Sequence, residues 1–338
     1  MSDTIIQLAA SARLPQARPG WRLEAPGVTG PRIAVLIPCC NEEATIAKVV
    51  TEFHAVLPQA VVYVYDNNSS DRTALAARAA GAVVRAEPLQ GKGHVVRRMF
   101  ADIEADVFLL VDGDDTYDSA AAPDMLKLLL EQRLDMVTAA RVTEQNAAYR
   151  RGHRLGNAVL TAMVRGVFGG RISDVLSGYR AFSRRFVKSF PALAGGFETE
   201  TEFTVHALEL AMPIGEIVVG YRERPAGSTS KLRTWSDGLR ILRTILVLVK
   251  EGRPLQFFAA TGTALLLAAL GIGAPVVMVF LHTGLVPKLP SAVLATGLVL
   301  LSSLTLVCGL VLDSVERGRR EMKRLAYLTI PSTPHRDD

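Results

Sequence analysis

From Ile33 onward, short β-branched apolar runs alternate with longer stretches of helical period. The runs predict strands over 33–37, 61–65, 83–85 and 108–111, and the stretches between them predict helices over 43–57, 72–80 and 95–103. Such alternation predicts an α/β domain with a largely parallel sheet, whose ligand crevice lies at the carboxyl ends of the strands. A helix-rich stretch over 149–168, a turn over 174–180, a helix over 203–210 and a further α/β segment ending near Gly227 complete the domain.

Beyond it the pattern changes. Over 235–251, Leu239, Leu242, Ile245, Leu246 and Val249 share one helical face while Arg240, Arg243 and Lys250 lie elsewhere. This reads as an amphipathic helix on a membrane surface, with an ordinary core-facing helix as the alternative. The segments 257–281 and 291–312 are uncharged, and each is long enough to cross a hydrocarbon core of about 30 Å. Lys250 and Arg253 precede the first, and Arg317, Arg319, Arg320, Lys323 and Arg324 follow the second, whereas the loop between them carries only Lys288. The positive-inside rule then predicts an integral membrane protein with its α/β domain and both termini in the cytoplasm. The expected organisation is a loose extension over 1–30, the α/β domain over 31–232, a juxtamembrane helix over 233–254, a transmembrane hairpin over 255–313 and a basic tail over 314–338.

Composition agrees with a soluble domain joined to a few spans: 49% of the 338 residues are hydrophobic and 21% charged. The net charge of +5 gathers beside apolar segments rather than interleaving with aromatics, which favours an anionic membrane surface and argues against nucleic acid. Cys39 and Cys40 are adjacent and Cys308 lies in an apolar run, so no disulfide or zinc spacing is available.

Polar clusters follow the strands. Asp112-Gly113-Asp114-Asp115 ends a buried strand, and two carboxylates one residue apart can turn toward one Mg²⁺ or Mn²⁺ bridging a diphosphate. Asp66 ends the second strand, where an acid can accept hydrogen bonds from a base or ribose, and Ser70 or Asp71 is suited to cap the next helix, Asp71 being favoured. Pro38-Cys39-Cys40-Asn41-Glu42-Glu43 ends the first, with Glu42 open to a nucleoside. Gln90-Gly91-Lys92-Gly93 offers a pliant backbone and one cation to an anionic donor, without the spacing of a Walker loop. Ser228-Thr229-Ser230-Lys231, with Arg222, Arg224 and Arg233, precedes the juxtamembrane helix and can meet a phosphate at the membrane surface. Glu200, between Glu198 and Glu202, is the choice for an acid on the acceptor side.

In this order, the motifs at 38–43, 66–73, 90–93 and 112–115 resemble the GT-A domain of family-two glycosyltransferases. Asp174-Val175-Leu176-Ser177-Gly178-Tyr179-Arg180, the segment 224–231 and the paired C-terminal spans narrow the resemblance to polyprenyl-phosphate glycosyltransferases, the group that includes dolichyl-phosphate mannose synthase. The resemblance implies a Rossmann-like nucleotide-sugar domain. Pro38, Glu42, Asp66 and Lys92 would bind the donor, and Asp112 and Asp114 would hold metal and diphosphate. Ser177, Arg224, Ser230 and Lys231 would meet the acceptor phosphate, with Asp114, Arg180 and Glu200 as the catalytic set. Cys40, Asn67-Asn68 and Thr116 depart from the family pattern, leaving Asp115 as the candidate third metal ligand.

The implied reaction is inverting transfer of a sugar from a UDP- or GDP-linked donor to a polyprenyl phosphate at the cytoplasmic membrane face, for later extracytoplasmic glycosylation; homo-oligomerisation is left open. A lipid monophosphate is already largely dianionic near neutral pH and needs positioning more than a general base. A processive polysaccharide synthase would need a translocation channel and a Gln-x-x-Arg-Trp motif. A catalytically silent sugar-nucleotide-binding scaffold would not need its acids intact.

Overall fold

The computed structural model describes residues 30–142, 151–169, 172–193, 195–196, 198–222, 247, 250 and 252–331. Seven strands form one sheet: β1 (Ile33–Cys39), β2 (Val61–Asp66), β3 (Val83–Ala86), β4 (Val107–Leu110), β5 (Met136–Val142), β6 (Arg180–Ser183) and β7 (Ile214–Gly220), in the order β3-β2-β1-β4-β6-β5-β7. β1 runs parallel to β2 and β4, β2 to β3, and β5 to β7. β6 is antiparallel to both β4 and β5, so the expected parallel half is joined to a second half of mixed direction.

Helices cover both faces: α1 (Ile46–Val56), α2 (Thr73–Ala79), α3 (Lys92–Asp102), α4 (Ala122–Glu131), α5 (Arg151–Phe168), α6 (Arg184–Ser189) and α7 (Thr199–Glu209). Val35 and Ile37 of β1 pack with Val49 and Phe53 of α1 and Met125 and Leu129 of α4. Ala34 and Leu36 point the other way, into an aromatic cluster of Phe100, Phe108, Phe182, Phe186 and Phe203 beneath α3, α6 and α7. Burial on both faces explains why the central strands read as continuous apolar runs rather than alternating ones.

Pro38 sits in a central strand, where a missing N–H normally costs a ladder bond. Here the pairing of β1 with β4 ends at Leu36, whose carbonyl accepts from Val111. Pro38 faces the same side two residues on, where β4 has already turned away. A proline at this point costs no ladder bond and marks where the two strands part to open a crevice.

Two long helices close the described chain, Pro254–Thr283 and Leu289–Leu328, both long and apolar enough to cross a membrane. Only 6% and 17% of their most apolar stretches are buried, unlike the core helix of a soluble domain. They meet through small residues: Gly262 lies against Leu306, Gly273 against Ala295, and Ser302 Oγ donates to the Gly262 carbonyl at 2.8 Å. Close approach of this kind is how helices associate where apolar surface alone gives no driving force.

The second helix does not stop at its apolar part. The segment expected as a basic tail stays helical to Leu328 and docks on the sheet domain. Lys323 pairs with Glu209 of α7 at 2.9 Å, and the Tyr327 hydroxyl donates to Asp135 Oδ2 at 2.7 Å beneath the Arg185 guanidinium, which lies 4.7 Å from the ring centre. Asp135 is fully buried and also accepts from Ser183 Oγ, so the hairpin is keyed into the interior of the sheet domain. The loose extension over 1–30 and the juxtamembrane helix over 233–254 lie almost wholly outside the described residues.

Candidate functional site

The loops after β1 and β2 are stitched together across the crevice. Asn41, at a φ of 54°, donates from its backbone N–H to Ser69 Oγ at 2.8 Å, and its side-chain oxygen accepts from the Ser70 N–H at 2.7 Å. Asp71 accepts from the Thr73 N–H at the start of α2 and from the Glu43 N–H, joining the two loops, while the N-cap position itself is Arg72 rather than the expected Asp71. Glu43 is drawn away to Arg72, while Glu42 is buried with its N–H donating to Thr73 Oγ1 at 2.8 Å. Asp66 accepts from the Ser69 N–H through one carboxylate oxygen; the other, Oδ1, is buried without a hydrogen-bond partner. An orphaned buried acceptor is costly, and a ligand hydroxyl or N–H would relieve it.

Asn67, which departs from the family pattern, is structural. Its amide donates to the Glu87 and Leu89 carbonyls, and its oxygen accepts from the Gly91 N–H at 2.7 Å, fixing the 90–93 loop against the end of β2. Gly91 has a φ of 133° and faces the Gly195 carbonyl, leaving no room for a Cβ. That turn delivers Lys92 as the first residue of α3.

The acidic loop leaves β4 across the top of β1. Gly113 passes so close to Cys39 that a Cβ would lie 2.6 Å from its sulfur, and its carbonyl accepts from Thr45 Oγ1 at 2.7 Å. Asp114 is buried, with Oδ1 accepting from Thr116 Oγ1 at 2.6 Å. Asp115, the candidate third ligand, takes a φ of 58° that turns its side chain toward α1, where it pairs with Lys48 at 2.5 Å. It is therefore an anchor for the loop in this structure. Among the described residues no three of His, Cys, Asp and Glu are grouped to hold a metal ion. Asp112, whose side chain is 29% exposed, and Asp114 are hard oxygen donors, and two such ligands fit a divalent cation that completes its shell from diphosphate and water.

Lys92 occupies the middle of the site. Its Nζ lies 2.5 Å from Asp112 Oδ1 and 2.5 Å from Glu200 Oε1, bringing together three of the expected residues from α3, the β4 exit and α7. Burial alone would push the ammonium's pKa down, but the two carboxylates outweigh it and hold it well above the usual lysine value. Glu200 Oε2 is buried without a hydrogen-bond partner.

Two expected residues are placed differently. Ser177 is fully buried, with Oγ donating to the Ala139 carbonyl at 2.6 Å, and Arg180 is fully buried as the first residue of β6. Its guanidinium donates to the Ser177 and Val175 carbonyls and to Thr204 Oγ1, at 2.9, 2.6 and 2.9 Å. Burial lowers its pKa to about 10, so it stays charged at neutral pH, beside Glu200 and Asp174. In this structure both residues form the underside of the 174–178 loop rather than a surface for phosphate. The antiparallel strand explains this: β6 enters the sheet at Arg180, which points the side chain inward.

That loop walls the site through Gly178. A Cβ on Gly178 would abut Asp112 and lie 3.1 Å from Lys92 Nζ, and the Gly178 N–H donates to the Tyr117 hydroxyl at 2.9 Å. The loop's other end is held by a two-pronged ion pair of Asp174 with Arg141, at 2.7 and 2.9 Å. Arg141 and Tyr117 were not singled out in the sequence, because their partners are long-range; Asn67 was marked only as a departure from the family pattern and Gly178 only as part of the 174–180 motif. Arg224, Ser230 and Lys231 lie outside the described residues. The Arg222 N–H donates to the Thr116 carbonyl at 2.9 Å, while Tyr117 bridges Tyr221.

A model of the family described as Glycosyl transferase family 2 matches residues 34–190. The glycosyltransferase AglJ of Haloferax volcanii is 31% identical over 299 residues, 88% of this chain and 98% of the relative. The dolichyl-phosphate hexose transferase of the same organism is 28% identical over 221 residues, 65% of this chain and 95% of the relative. Among solved structures, glucosyl-3-phosphoglycerate synthase from Mycobacterium tuberculosis, in complex with Mn²⁺, UDP-glucose and phosphoglyceric acid, superposes with a TM-score of 0.53 at 24% identity, over 69% of this chain and 85% of that one. That likeness is one of fold, and the shared fold is GT-A.

Proposed function

The chain belongs to glycosyl transferase family 2 and is a glycosyltransferase of GT-A fold carrying two helices that can cross a membrane, and from that premise we propose that it transfers a sugar from a nucleotide-sugar to a polyprenyl phosphate at the cytoplasmic membrane face. The observation that carries the lipid acceptor is the keying of Tyr327 and Lys323 into Asp135 and Glu209. This fixes the catalytic domain to the hairpin, as expected when the acceptor cannot leave the bilayer. The relative named as a dolichyl-phosphate hexose transferase supports the same class. The basic residues flanking the two helices, against Lys288 alone in the connecting loop, support a cytoplasmic catalytic domain.

In this reading the nucleoside lies between the ends of β1 and β2, beside Pro38 and Glu42, and satisfies the orphaned Asp66 Oδ1. The diphosphate meets Lys92 at the N-terminus of α3, the end of a helix that favours an anion. Asp112 and Asp114 would hold Mg²⁺ or Mn²⁺, which when bound supplies Lewis-acid neutralisation of the nucleoside diphosphate as it leaves. Arg224, Ser230 and Lys231 hold the acceptor phosphate behind the anomeric carbon, and a single displacement inverts that carbon. Arg180 and Ser177 act through the 174–178 loop, keeping Gly178 against Asp112. Glu200 positions Lys92 rather than removing a proton, in keeping with an acceptor that arrives already ionised.

The test is to incubate membranes containing the full chain with UDP- and GDP-sugars and with prenyl phosphates of several lengths, and to identify the glycolipid by mass and its anomeric configuration by NMR. A phosphate-linked glycolipid of inverted configuration is expected. Transfer only to a soluble phosphorylated acid, with no prenyl phosphate accepted, would refute the lipid acceptor and leave family membership standing.

A further inference from the structure

The geometry points to Lys92 as an internal counter-cation that keeps Asp112 closed to free metal ions and releases it when the donor diphosphate arrives. This rests on the reading of Asp112 and Asp114 as the metal's protein ligands. The ammonium lies 2.5 Å from Asp112 Oδ1 and its side chain is 9% exposed, so it fills one of the directions from which a divalent cation would approach that carboxylate. Two cations on one oxygen repel, and with little water between them the repulsion is poorly screened.

The position is built rather than incidental. Gly91, with no room for a Cβ, sets the turn that launches Lys92 into α3. Gly178 presses on the far side of the Lys92–Asp112 pair, where a Cβ would lie 3.0 Å from Asp112 Cγ, and the buried Arg180 guanidinium holds that loop from beneath. The second carboxylate gives the latch a direction in which to open. Glu200 already holds Lys92 through Oε1 and keeps a buried Oε2 without a hydrogen-bond partner, so the ammonium can leave Asp112 without losing its charge partner.

Charge balance then orders the binding. Asp112, Glu200 and Lys92 together carry one net negative charge. A divalent ion arriving alone must displace the ammonium or share Asp112 with it. An ion arriving with a diphosphate brings the anion that Lys92, at the start of α3, can turn to. Metal and nucleotide therefore bind cooperatively, and by linkage each raises the affinity of the other by the same factor. One charge-assisted contact exchanged in this way corresponds to about 10- to 100-fold.

The test measures protein-bound Mn²⁺ by electron paramagnetic resonance on the detergent-solubilised full chain, alone and with UDP or GDP, against protein-free mixtures. For the wild type, weak nucleotide-free binding that tightens about 10- to 100-fold with one nucleotide is expected. Lys92→Met should tighten nucleotide-free Mn²⁺ binding at least about tenfold and abolish most of the coupling. A variant that elutes as folded protein yet binds free Mn²⁺ no tighter than wild type would overturn the latch. Should Lys92→Met not fold, the wild type decides, because equal Mn²⁺ affinity with and without nucleotide also overturns it. Wild-type protein that binds no Mn²⁺ with either nucleotide would sink the latch and the metal reading together. Nucleotide-dependent binding lost in Asp114→Asn would show the metal reading sound whatever Lys92→Met does.

Discussion

Gly178→Ala puts one methyl group directly against the Lys92–Asp112 pair. The added carbon would lie 3.0 Å from Asp112 Cγ and 3.1 Å from Lys92 Nζ, closer still to Asp112 Oδ2, so the clash falls on the ends of these two side chains. The loop cannot retreat, because the Gly178 N–H donates to the buried Tyr117 hydroxyl and Arg180 holds the Ser177 and Val175 carbonyls. Asp112 must therefore move, by roughly 1 Å to restore ordinary van der Waals spacing, and a displacement of that size at a reacting centre costs on the order of 100-fold in rate. Overpacking adds a stability loss of about 1–3 kcal/mol, a few degrees in melting temperature. Steady-state transfer kinetics and a thermal melt of the detergent-solubilised protein measure both. Gly220→Ala is the control, since a Cβ there meets nothing within 4 Å. If Gly178→Ala turns over like wild type while remaining folded, the contact between the 174–178 loop and Asp112 does not position the carboxylate and the argument fails.

Asp114→Asn is expected to abolish metal-dependent transfer with the fold retained, and wild-type turnover would remove Asp114 from the metal site. Lys231→Ala should lower acceptor efficiency roughly 10- to 100-fold with little change in donor-only hydrolysis; collapse of hydrolysis along with transfer would move Lys231 to the diphosphate. Tyr327→Phe deletes a hydrogen bond to the fully buried Asp135 and should cost about 1–3 kcal/mol of docking, read as faster amide exchange over 320–328; unchanged exchange would refute the keyed contact. His206, packed 5.4 Å from the rings of both Phe186 and Phe190, is held neutral by burial and by Lys323, its pKa lowered to about 3. Because the unfolded imidazole takes its proton near 6.5, stability should fall as pH drops below that value, by about 2 kcal/mol at pH 5. The same melts on His206→Phe should lose this acid slope, and an unchanged slope would assign it to other groups.

The sequence by itself determined the first half of the sheet, because β1, β2 and β4 are apolar runs, β1 and β4 buried on both faces, and polar turns punctuate them. It also determined the two long apolar helices, whose composition needs no partner to be read, and the order of the strand-end motifs that identify the family. It did not reveal β6, four residues whose antiparallel course depends on finding β4 and β5 as neighbours, and so it could not tell that Arg180 and Ser177 point inward. Nor could it tell that Asp115 would turn to Lys48, since that follows from a backbone at positive φ above α1. The helix running on to Leu328 looked like a charged tail because its partners, Asp135 and Glu209, lie more than a hundred residues earlier in the chain. Lys92 was visible as a cation beside glycines; that it stands between Asp112 and Glu200 was decided only when α3, the β4 exit and α7 converged on one point. Local pattern sets which elements form and which chemistry they carry, whereas the direction of each polar side chain is set by long-range packing that satisfies buried charges in pairs.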